Sequence, residues 1–216
     1  MIQCMNKYFL NRRQFGARCA ALGLSFPAAS AIAVQARAQV PDAGAEPPPA
    51  PRTVKFPNGT IVPALGQGSW HLGQGRHRLA LEEEAMRTGI ALGMTVIDTS
   101  RNYGEGRSES FVGRAIAGQR DRVFLISKIQ ADEIMAGNFA RAFQGSLSRL
   151  GTDYLDICYM HRDYEEDSLE EPLRAFDDLI RAGKLRYWGL SNFRGWRIAE
   201  AVRLSGQTGM RQCARL

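Results

Sequence analysis

The stretch TVIDTSRNYG at residues 95–104 joins a short apolar run to a cluster of polar side chains. Its first half is uninterrupted and β-branched at Val96-Ile97, which is typical of a strand buried on both faces. Asp98 ends the apolar run, and Tyr103 follows five residues later on the same exit from the strand. The stretch therefore predicts a buried strand whose carboxyl end carries chemically capable side chains.

Similar strands recur along the chain and alternate with helical periods. Apolar runs rich in Val, Ile, Leu and aromatic residues occupy positions 64–70, 95–98, 123–127, 154–160 and 187–190. Three intervening stretches have helical spacing of their apolar residues, which predicts amphipathic helices; these residues are Leu81, Ala85, Thr88 and Leu92, then Phe139, Phe143, Leu147 and Leu150, then Leu169, Leu173, Phe176 and Ile180. Each helix is expected to end at a glycine, namely Gly93, Gly151 and Gly183, and a fourth helix is expected from Trp196 to Leu204.

This alternation leaves two candidate folds, a doubly wound sheet and a (β/α)8 barrel. No strand is followed by a GxGxxG motif, which disfavours the first candidate. Ahead of the first parallel strand, Thr53–Phe56 and Ile61-Val62 flank Asn58-Gly59, and this pattern predicts a β-hairpin.

Polar side chains follow four successive apolar runs, namely Asp98, Lys128, His161 and the pair Ser191-Asn192. Singly, each has an ordinary structural explanation as a turn residue, a solvated strand end, a buried histidine or a helix cap. The carboxyl ends of parallel strands meet on one face of such folds. Their recurrence at this position therefore favours a shared site.

The chemistry of this set is coherent. A tyrosine phenol is ordinarily a poor acid or base at neutral pH, and a neighbouring ammonium group stabilises its phenolate. Tyr103, Lys128 and Asp98 together supply a phenol, an ammonium group and a carboxylate that keeps the ammonium charged and in place. His161 adds a group that donates a hydrogen bond to a carbonyl oxygen or relays its proton.

These motifs resemble those of the aldo-keto reductase superfamily. The resemblance is carried by Asp98–Gly104, Ser127-Lys128, Met160-His161 and Gly189–Phe193, with 64–70 similar to the first strand and Asn58-Gly59 to the hairpin that closes the barrel floor. It covers about residues 53–207 and is closest to the bacterial branch that reduces small aldehydes such as methylglyoxal. It implies an α/β fold, a TIM (β/α)8 barrel of the NADP-dependent oxidoreductase type.

The resemblance also implies an activity, the NADPH-dependent reduction of small carbonyl compounds to alcohols. The catalytic residues would be Asp98, Tyr103, Lys128 and His161, with Tyr103 as the general acid. The residues that bind the cofactor would be Gly68, Ser69, Trp70, Asp98, Ser191 and Asn192. No metal is expected, because His71, His77 and His161 are scattered and the four cysteines form no CxxC pair.

The first 38 residues have the composition of an export leader. They contain five cations and no acid, and Arg12-Arg13 is followed two places later by Phe15, which resembles a twin-arginine signal. A weakly apolar stretch from 16 to 34 precedes Ala36-Arg37-Ala38, which offers small residues to a signal peptidase. We therefore expect residues 1–38 to engage the twin-arginine translocase and to direct the chain to the periplasm.

A membrane anchor is the competing interpretation of this leader. Arg18 and Pro27 make the apolar stretch too weak for a stable span. Residues 39–52, with five of the nine prolines, are interpreted as an extended spacer rather than an SH3-type ligand. Cys4 and Cys19 would leave with the leader, so Cys158 and Cys213 would remain in a chain that needs no disulfide.

The net charge of the whole chain is +6, but it falls to +1 without the leader, so no nucleic-acid partner is expected. A (β/α)8 barrel typically needs about 250 residues. Residues 53–216 are accordingly expected to form a partial barrel of five to six of the eight units, with a sixth strand near Met210. The resemblance also implies that the family's late loops grip the adenosine and 2′-phosphate half of the cofactor, so a chain without them is expected to bind NADPH weakly or not at all.

Two hypotheses stay open at this stage. In the first, the chain is an exported reductase that is cut short at its carboxyl end; in the second, it is a non-catalytic fragment or binding subunit that keeps the four catalytic residues by descent. A monomer is expected for a full-length form.

Overall fold

The structure is a computed structural model that describes residues 52–56, 59–130, 133, 137–163 and 168–207. The leader expected at 1–38, nearly all of the spacer expected at 39–52 and the strand expected near Met210 lie outside the described residues. None of the helices within the described ranges combines the length and the hydropathy needed to cross a membrane.

Seven strands and five helices make up the described part. The strands are β1 (Thr53–Lys55), β2 (Ile61–Pro63), β3 (Gly66–Gly68), β4 (Val96–Asp98), β5 (Phe124–Ile129), β6 (Leu155–Met160) and β7 (Leu185–Leu190). The helices are α1 (Leu79–Ala91), α2 (Arg107–Ile116), α3 (Phe139–Leu150), α4 (Glu170–Arg181) and α5 (Gly195–Gln207). Strands β3 to β7 form one sheet in sequential order, and each is parallel to the next.

This sequential parallel order confirms the α/β fold class, since it is the order of strands along the wall of a (β/α)8 barrel. A doubly wound sheet would instead reverse its strand order at a switch point. The expected hairpin is also present, with β1 and β2 antiparallel and Val54 opposite Val62.

The two faces of the parallel sheet are buried against different partners. Alternate strand residues on the outer face pack against the helices, among them Ile97, Leu125, Ile129, Cys158, Met160 and Trp188. The inner face carries Phe124, Ile126 and Ile157, which pack with Phe56 and Val62 from the hairpin. Phe56 meets the ring of Phe124 edge to face at 5.5 Å. The hairpin therefore closes the amino end of the inner face, and its opposite end is left to polar side chains.

Helix ends follow the glycine prediction. Gly93, Gly151 and Gly183 have φ angles of +93°, +63° and +71°, and each lies within two residues of the end of α1, α3 or α4. Only glycine adopts such angles without steric cost, which explains why the helices stop there. The apolar faces expected for α3 and α4 are confirmed, since all eight of their named residues are buried.

The buried face predicted for α1 is wrong. Leu81, Ala85, Thr88 and Leu92 are all exposed, and the buried residues of α1 are Glu82, Met86, Gly89 and Ile90. The predicted and the observed sets of residues both have helical spacing, and their positions are offset by about one residue. The spacing alone therefore does not show which set is buried. The buried stripe contains a carboxylate, Glu82, whose Oε2 accepts a hydrogen bond from the backbone N–H of Gly73 at 2.8 Å.

Two other expectations need correction. The apolar run expected at 123–127 continues to Ile129, so Lys128 lies within β5 rather than after it. Helix α2 was not predicted, although its buried residues Phe111, Val112, Ala115 and Ile116 have helical spacing. Ser108 and Glu109 are buried on the same helix and interrupt the apolar pattern.

Candidate active site

Strand parity places three of the predicted site residues on one face. On β5, Lys128 is on the same face as the buried inner residues Phe124 and Ile126, because side chains alternate along a strand. Asp98 ends β4 opposite Ile126, and Lys128 is opposite Tyr159 on β6. His161 follows β6 two residues beyond Tyr159. These polar side chains therefore lie on the inner face of the sheet, nearer the carboxyl ends of the strands than the apolar residues Phe124 and Ile126.

Lys128 is the centre of this group. Its ammonium nitrogen donates to Asp98 Oδ1 at 2.5 Å, to the carbonyl oxygen of Thr99 at 3.0 Å and to the phenol oxygen of Tyr103 at 3.1 Å. An ammonium group has three hydrogens, so these three acceptors use its full donor capacity. The residue is 7% exposed, and Asp98 compensates its charge in this nearly buried position.

Tyr103 reaches the site from the loop after β4. It begins a short 3₁₀ turn, Tyr103–Gly106, in which Gly104 and Glu105 have φ angles of +58° and +60°. The phenol ring is half-buried and stacks at 6.1 Å from the indole ring of Trp70. The expected chain of phenol, ammonium and carboxylate is thus present as a set of direct contacts.

His161 completes the group from the neighbouring strand. Its ring meets the Tyr103 ring edge to face at 5.8 Å, and its backbone N–H donates to the carbonyl oxygen of Ile129 at 2.9 Å. Burial lowers the pKa of the imidazole, the positive charges of Lys128 and Arg162 lower it further, and Asp98 partly opposes them. The histidine is therefore neutral at pH 7.

A buried carboxylate supports the strand that carries Lys128. Glu109 on α2 is fully buried and accepts hydrogen bonds from the Ser127 hydroxyl at 2.6 Å and from Arg149 Nε at 2.7 Å. The network joins β5, α2 and α3 directly behind the ammonium group. The sequence analysis missed it, and the helical spacing of the apolar residues in α2 is the signal that would have placed Glu109 on a helix facing the sheet.

The predicted cofactor pair, Ser191 and Asn192, directly follows β7. Asn192 Nδ2 donates to the carbonyl oxygen of His161 at 2.9 Å and to the Ser191 hydroxyl at 3.1 Å, which places the pair beside His161. Asn192 has a φ of +60°, a left-handed conformation that asparagine tolerates better than most residues. A hydroxyl and an amide both donate and accept hydrogen bonds, so their chemistry fits a ligand carboxamide such as that of nicotinamide.

The predicted cofactor residues at the end of the first parallel strand differ in how accessible they are to a ligand. Gly68 ends β3 opposite Asp98, and a side chain added there would meet no atom within 4 Å. Ser69 is fully buried, and its hydroxyl donates to Thr99 Oγ1 at 2.8 Å, so its side chain does not line an open surface. Trp70 is 64% exposed and forms an aromatic wall next to Tyr103.

The fold and this constellation place the chain in a known class of proteins. It belongs to the aldo/keto reductase family, which it matches over residues 64–211. Methylglyoxal reductase YeaE of Escherichia coli strain K12 is 37% identical over 163 residues, which are 76% of this chain and 56% of that protein. Aldo-keto reductase YhdN of Bacillus subtilis strain 168 is 34% identical over 142 residues, with coverage of 60% and 43%.

A solved structure shows the same relationship. The aldo-keto reductase of Klebsiella pneumoniae in complex with NADPH is 39% identical, with a TM-score of 0.66 over 71% of this chain and 54% of that protein. The chain thus spans about half the length of the relatives it matches. These likenesses establish the family and the fold.

Proposed function

We propose that this chain carries the catalytic group of an NADPH-dependent reductase of small aldehydes and ketones. The observation that supports it most directly is the position of Lys128 Nζ, within hydrogen-bond distance of both Asp98 Oδ1 and the Tyr103 phenol oxygen. When bound, NADPH supplies the hydride that reduces the carbonyl carbon. The remaining requirements are a proton for the carbonyl oxygen and correct orientation of the substrate, and the chain's own residues provide both.

Tyr103 is the proposed general acid. Its phenol is half-buried and so can be reached by a substrate. The phenol hydrogen passes to the carbonyl oxygen of the substrate as negative charge develops there. The Lys128 ammonium donates to the phenol oxygen and stabilises the phenolate that is left. Asp98 holds the ammonium in place, and the phenolate regains its proton from solvent.

His161 is proposed to orient the substrate. The ring is neutral and stands edge to face with the Tyr103 ring, so both side chains can approach the same carbonyl oxygen. Two hydrogen-bond donors converging on one oxygen stabilise the charge that develops there. Trp70 provides an apolar wall beside this position.

Ser191 and Asn192 are proposed to hold the nicotinamide carboxamide, with Gly68 leaving space at the end of β3. Support comes from the hydroxyl and amide chemistry of the pair and from its contact with His161. Asp98, Ser69 and Trp70 remain predicted cofactor contacts. The similarity to methylglyoxal reductase YeaE supports small aldehydes of the methylglyoxal type as the substrate class.

Steady-state reduction by the full chain tests this proposal. NADPH consumption would be followed with methylglyoxal and a panel of small aldehydes for the wild type, Tyr103→Phe and the control Tyr154→Phe. Tyr154 lies at the other end of β6, between the guanidinium groups of Arg120 and Arg186 at 3.9 and 4.6 Å. We expect a loss of at least about 10²-fold in kcat for Tyr103→Phe alone. NADPH binding without turnover would favour a binding subunit instead.

We also propose that the chain is exported to the periplasm by the twin-arginine route, on the strength of Arg12-Arg13 and the acid-free leader. Fractionation of cells that produce the full chain tests this. The wild type is expected in the periplasmic fraction, and replacement of Arg12 and Arg13 by lysine is expected to keep the chain in the cytoplasm. Equal distribution of the two forms would contradict export by this route.

A further inference from the structure

We propose that Ser100 is a positioning residue that donates its hydroxyl hydrogen to Nδ1 of His161 and so keeps the hydrogen of that imidazole on Nε2. The catalytic meaning of this contact rests on the proposed function. The contact itself is a property of the chain alone, and it is measurable without cofactor or substrate.

Ser100 lies where three catalytic elements meet. It follows β4 by two residues and is fully buried. Its Oγ lies 3.2 Å from His161 Nδ1, 3.3 Å from the carbonyl oxygen of Lys128 and 3.3 Å from the backbone nitrogen of Asn102. One hydroxyl therefore contacts the end of β6, the end of β5 and the loop that carries the phenol.

The hydroxyl group of Ser100 has one hydrogen and two possible acceptors for it. The backbone N–H of Asn102 donates to Oγ, so the serine hydrogen goes either to His161 Nδ1 or to the Lys128 carbonyl oxygen. That carbonyl oxygen already accepts a hydrogen bond from the backbone N–H of Arg101 at 3.2 Å. Nδ1 has no other hydrogen-bond partner among the described residues. Nδ1 is the nearer acceptor, at 3.2 against 3.3 Å, and the carbonyl oxygen already has a donor, so we assign the hydroxyl hydrogen to Nδ1. In the opposite arrangement Nδ1–H would donate to Oγ and Oγ to the carbonyl oxygen, and the tautomer of His161 distinguishes the two.

The direction of this hydrogen bond decides which ring nitrogen of His161 carries a hydrogen. Burial and the charges of Lys128 and Arg162, against the opposing Asp98, lower the pKa of His161, so the imidazole carries one hydrogen at neutral pH. With that hydrogen on Nδ1, Nε2 would present a lone pair and repel a carbonyl oxygen. With Nδ1 accepting from Ser100, Nε2 keeps the hydrogen and can donate it to the substrate.

The direct measurement is the ¹⁵N spectrum of the histidine side chains in the full chain, without NADPH or substrate. The sequence has three histidines, and variants at His71 and His77 assign the signals of the third. We expect neutral His161 to show a protonated Nε2 and an unprotonated Nδ1 in the wild type. A wild-type spectrum with Nδ1 protonated would overturn the proposal, whatever the variants do.

Two substitutions and a control extend this measurement. Ser100→Ala should move both nitrogen signals toward the intermediate values of a tautomer mixture, and Ser100→Thr, which keeps the hydroxyl, should restore them. The control is Ser148→Ala, which removes a hydroxyl from the exposed side of α3, where it donates to the Gln144 carbonyl oxygen. Unchanged signals in a folded Ser100→Ala chain would also overturn the proposal.

The rate of carbonyl reduction provides a second, independent test of the role of Ser100. Ser100→Ala should lower kcat about threefold to tenfold, the factor that corresponds to one hydrogen bond, with Ser100→Thr recovering most of it. Absence of carbonyl reduction together with the Nε2–H tautomer would overturn the proposed function and leave the assignment of Ser100 in place. Reduction by a chain with the Nδ1–H tautomer would overturn the assignment alone.

Discussion

The ammonium nitrogen of Lys128 lies 3.1 Å from the phenol oxygen of Tyr103, and the same nitrogen lies 2.5 Å from Asp98. Lys128 is therefore the group through which a carboxylate on β4 acts on a phenol in the following loop. Strand β5 fixes its position, because the residue lies inside the strand, on the same face as the apolar residues Phe124 and Ile126.

Replacing this ammonium tests its role. Lys128→Met keeps an unbranched side chain but removes the charge that stabilises the phenolate, so kcat for carbonyl reduction should fall by at least about 10²-fold. The matched control is Lys184→Met, since Lys184 is exposed and, within the described ranges, its Nζ has one hydrogen-bond partner, the amide oxygen of Gln144 at 3.3 Å. A variant at Lys128 that is folded and as active as this control would contradict the role.

The lowered pKa of His161 predicts a pH dependence of stability. The folded chain binds this proton less tightly than the unfolded chain, whose histidine has the ordinary value of 6.5. The stabilisation is therefore fully present above pH 6.5 and is lost as the pH falls from there through the lower folded-state value. The free energy of unfolding should fall less steeply on acidification in His161→Gln than in the wild type. Urea unfolding of both forms at several pH values measures the two slopes, and equal slopes would contradict this prediction.

The buried network behind Lys128 predicts unequal costs for two similar ion pairs. Glu109 is fully buried and Arg149 is 29% exposed, so Glu109→Ala should lower the free energy of unfolding by about 3 kcal/mol. Glu83 and Arg114 form a pair of the same length at the surface, and Glu83→Ala should cost less than about 1 kcal/mol. Urea unfolding of both variants measures the difference, and equal losses would show that burial of Glu109 has been overstated.

The corrected face of α1 predicts opposite results for two apolar residues. Met86 is 2% exposed, so Met86→Ala should cost about 3 kcal/mol of unfolding free energy. Leu81 is 54% exposed, and Leu81→Ala should change it by no more than about 0.5 kcal/mol. The reverse order in urea unfolding would restore the face that the sequence pattern favoured.

The four predicted catalytic residues could be found from the sequence because Asp98, Lys128 and His161 stand at or near the ends of apolar runs, which parallel strands bring together, and Tyr103 follows Asp98 in the same loop. Residues 169–180 also revealed their buried face, since the four apolar residues that define it are all buried, although Asp177 is buried beside them. The stripe on α1 did not, because Glu82 is a carboxylate in a buried position that only its hydrogen bond to Gly73 explains. The role of Ser100 was not predicted, because its contact with His161 joins positions 61 residues apart.

Tracing the hydride tests most directly whether this chain reduces a carbonyl compound with NADPH and Tyr103. The purified full chain would be given methylglyoxal and NADPH deuterated at the transferable position, and the alcohol product would be analysed by mass spectrometry. We predict one deuterium on the carbon that bears the new hydroxyl, at a rate that Tyr103→Phe lowers by at least about 10²-fold and Tyr154→Phe leaves unchanged. An unlabelled product, or equal labelling rates in wild type and Tyr103→Phe, would contradict it.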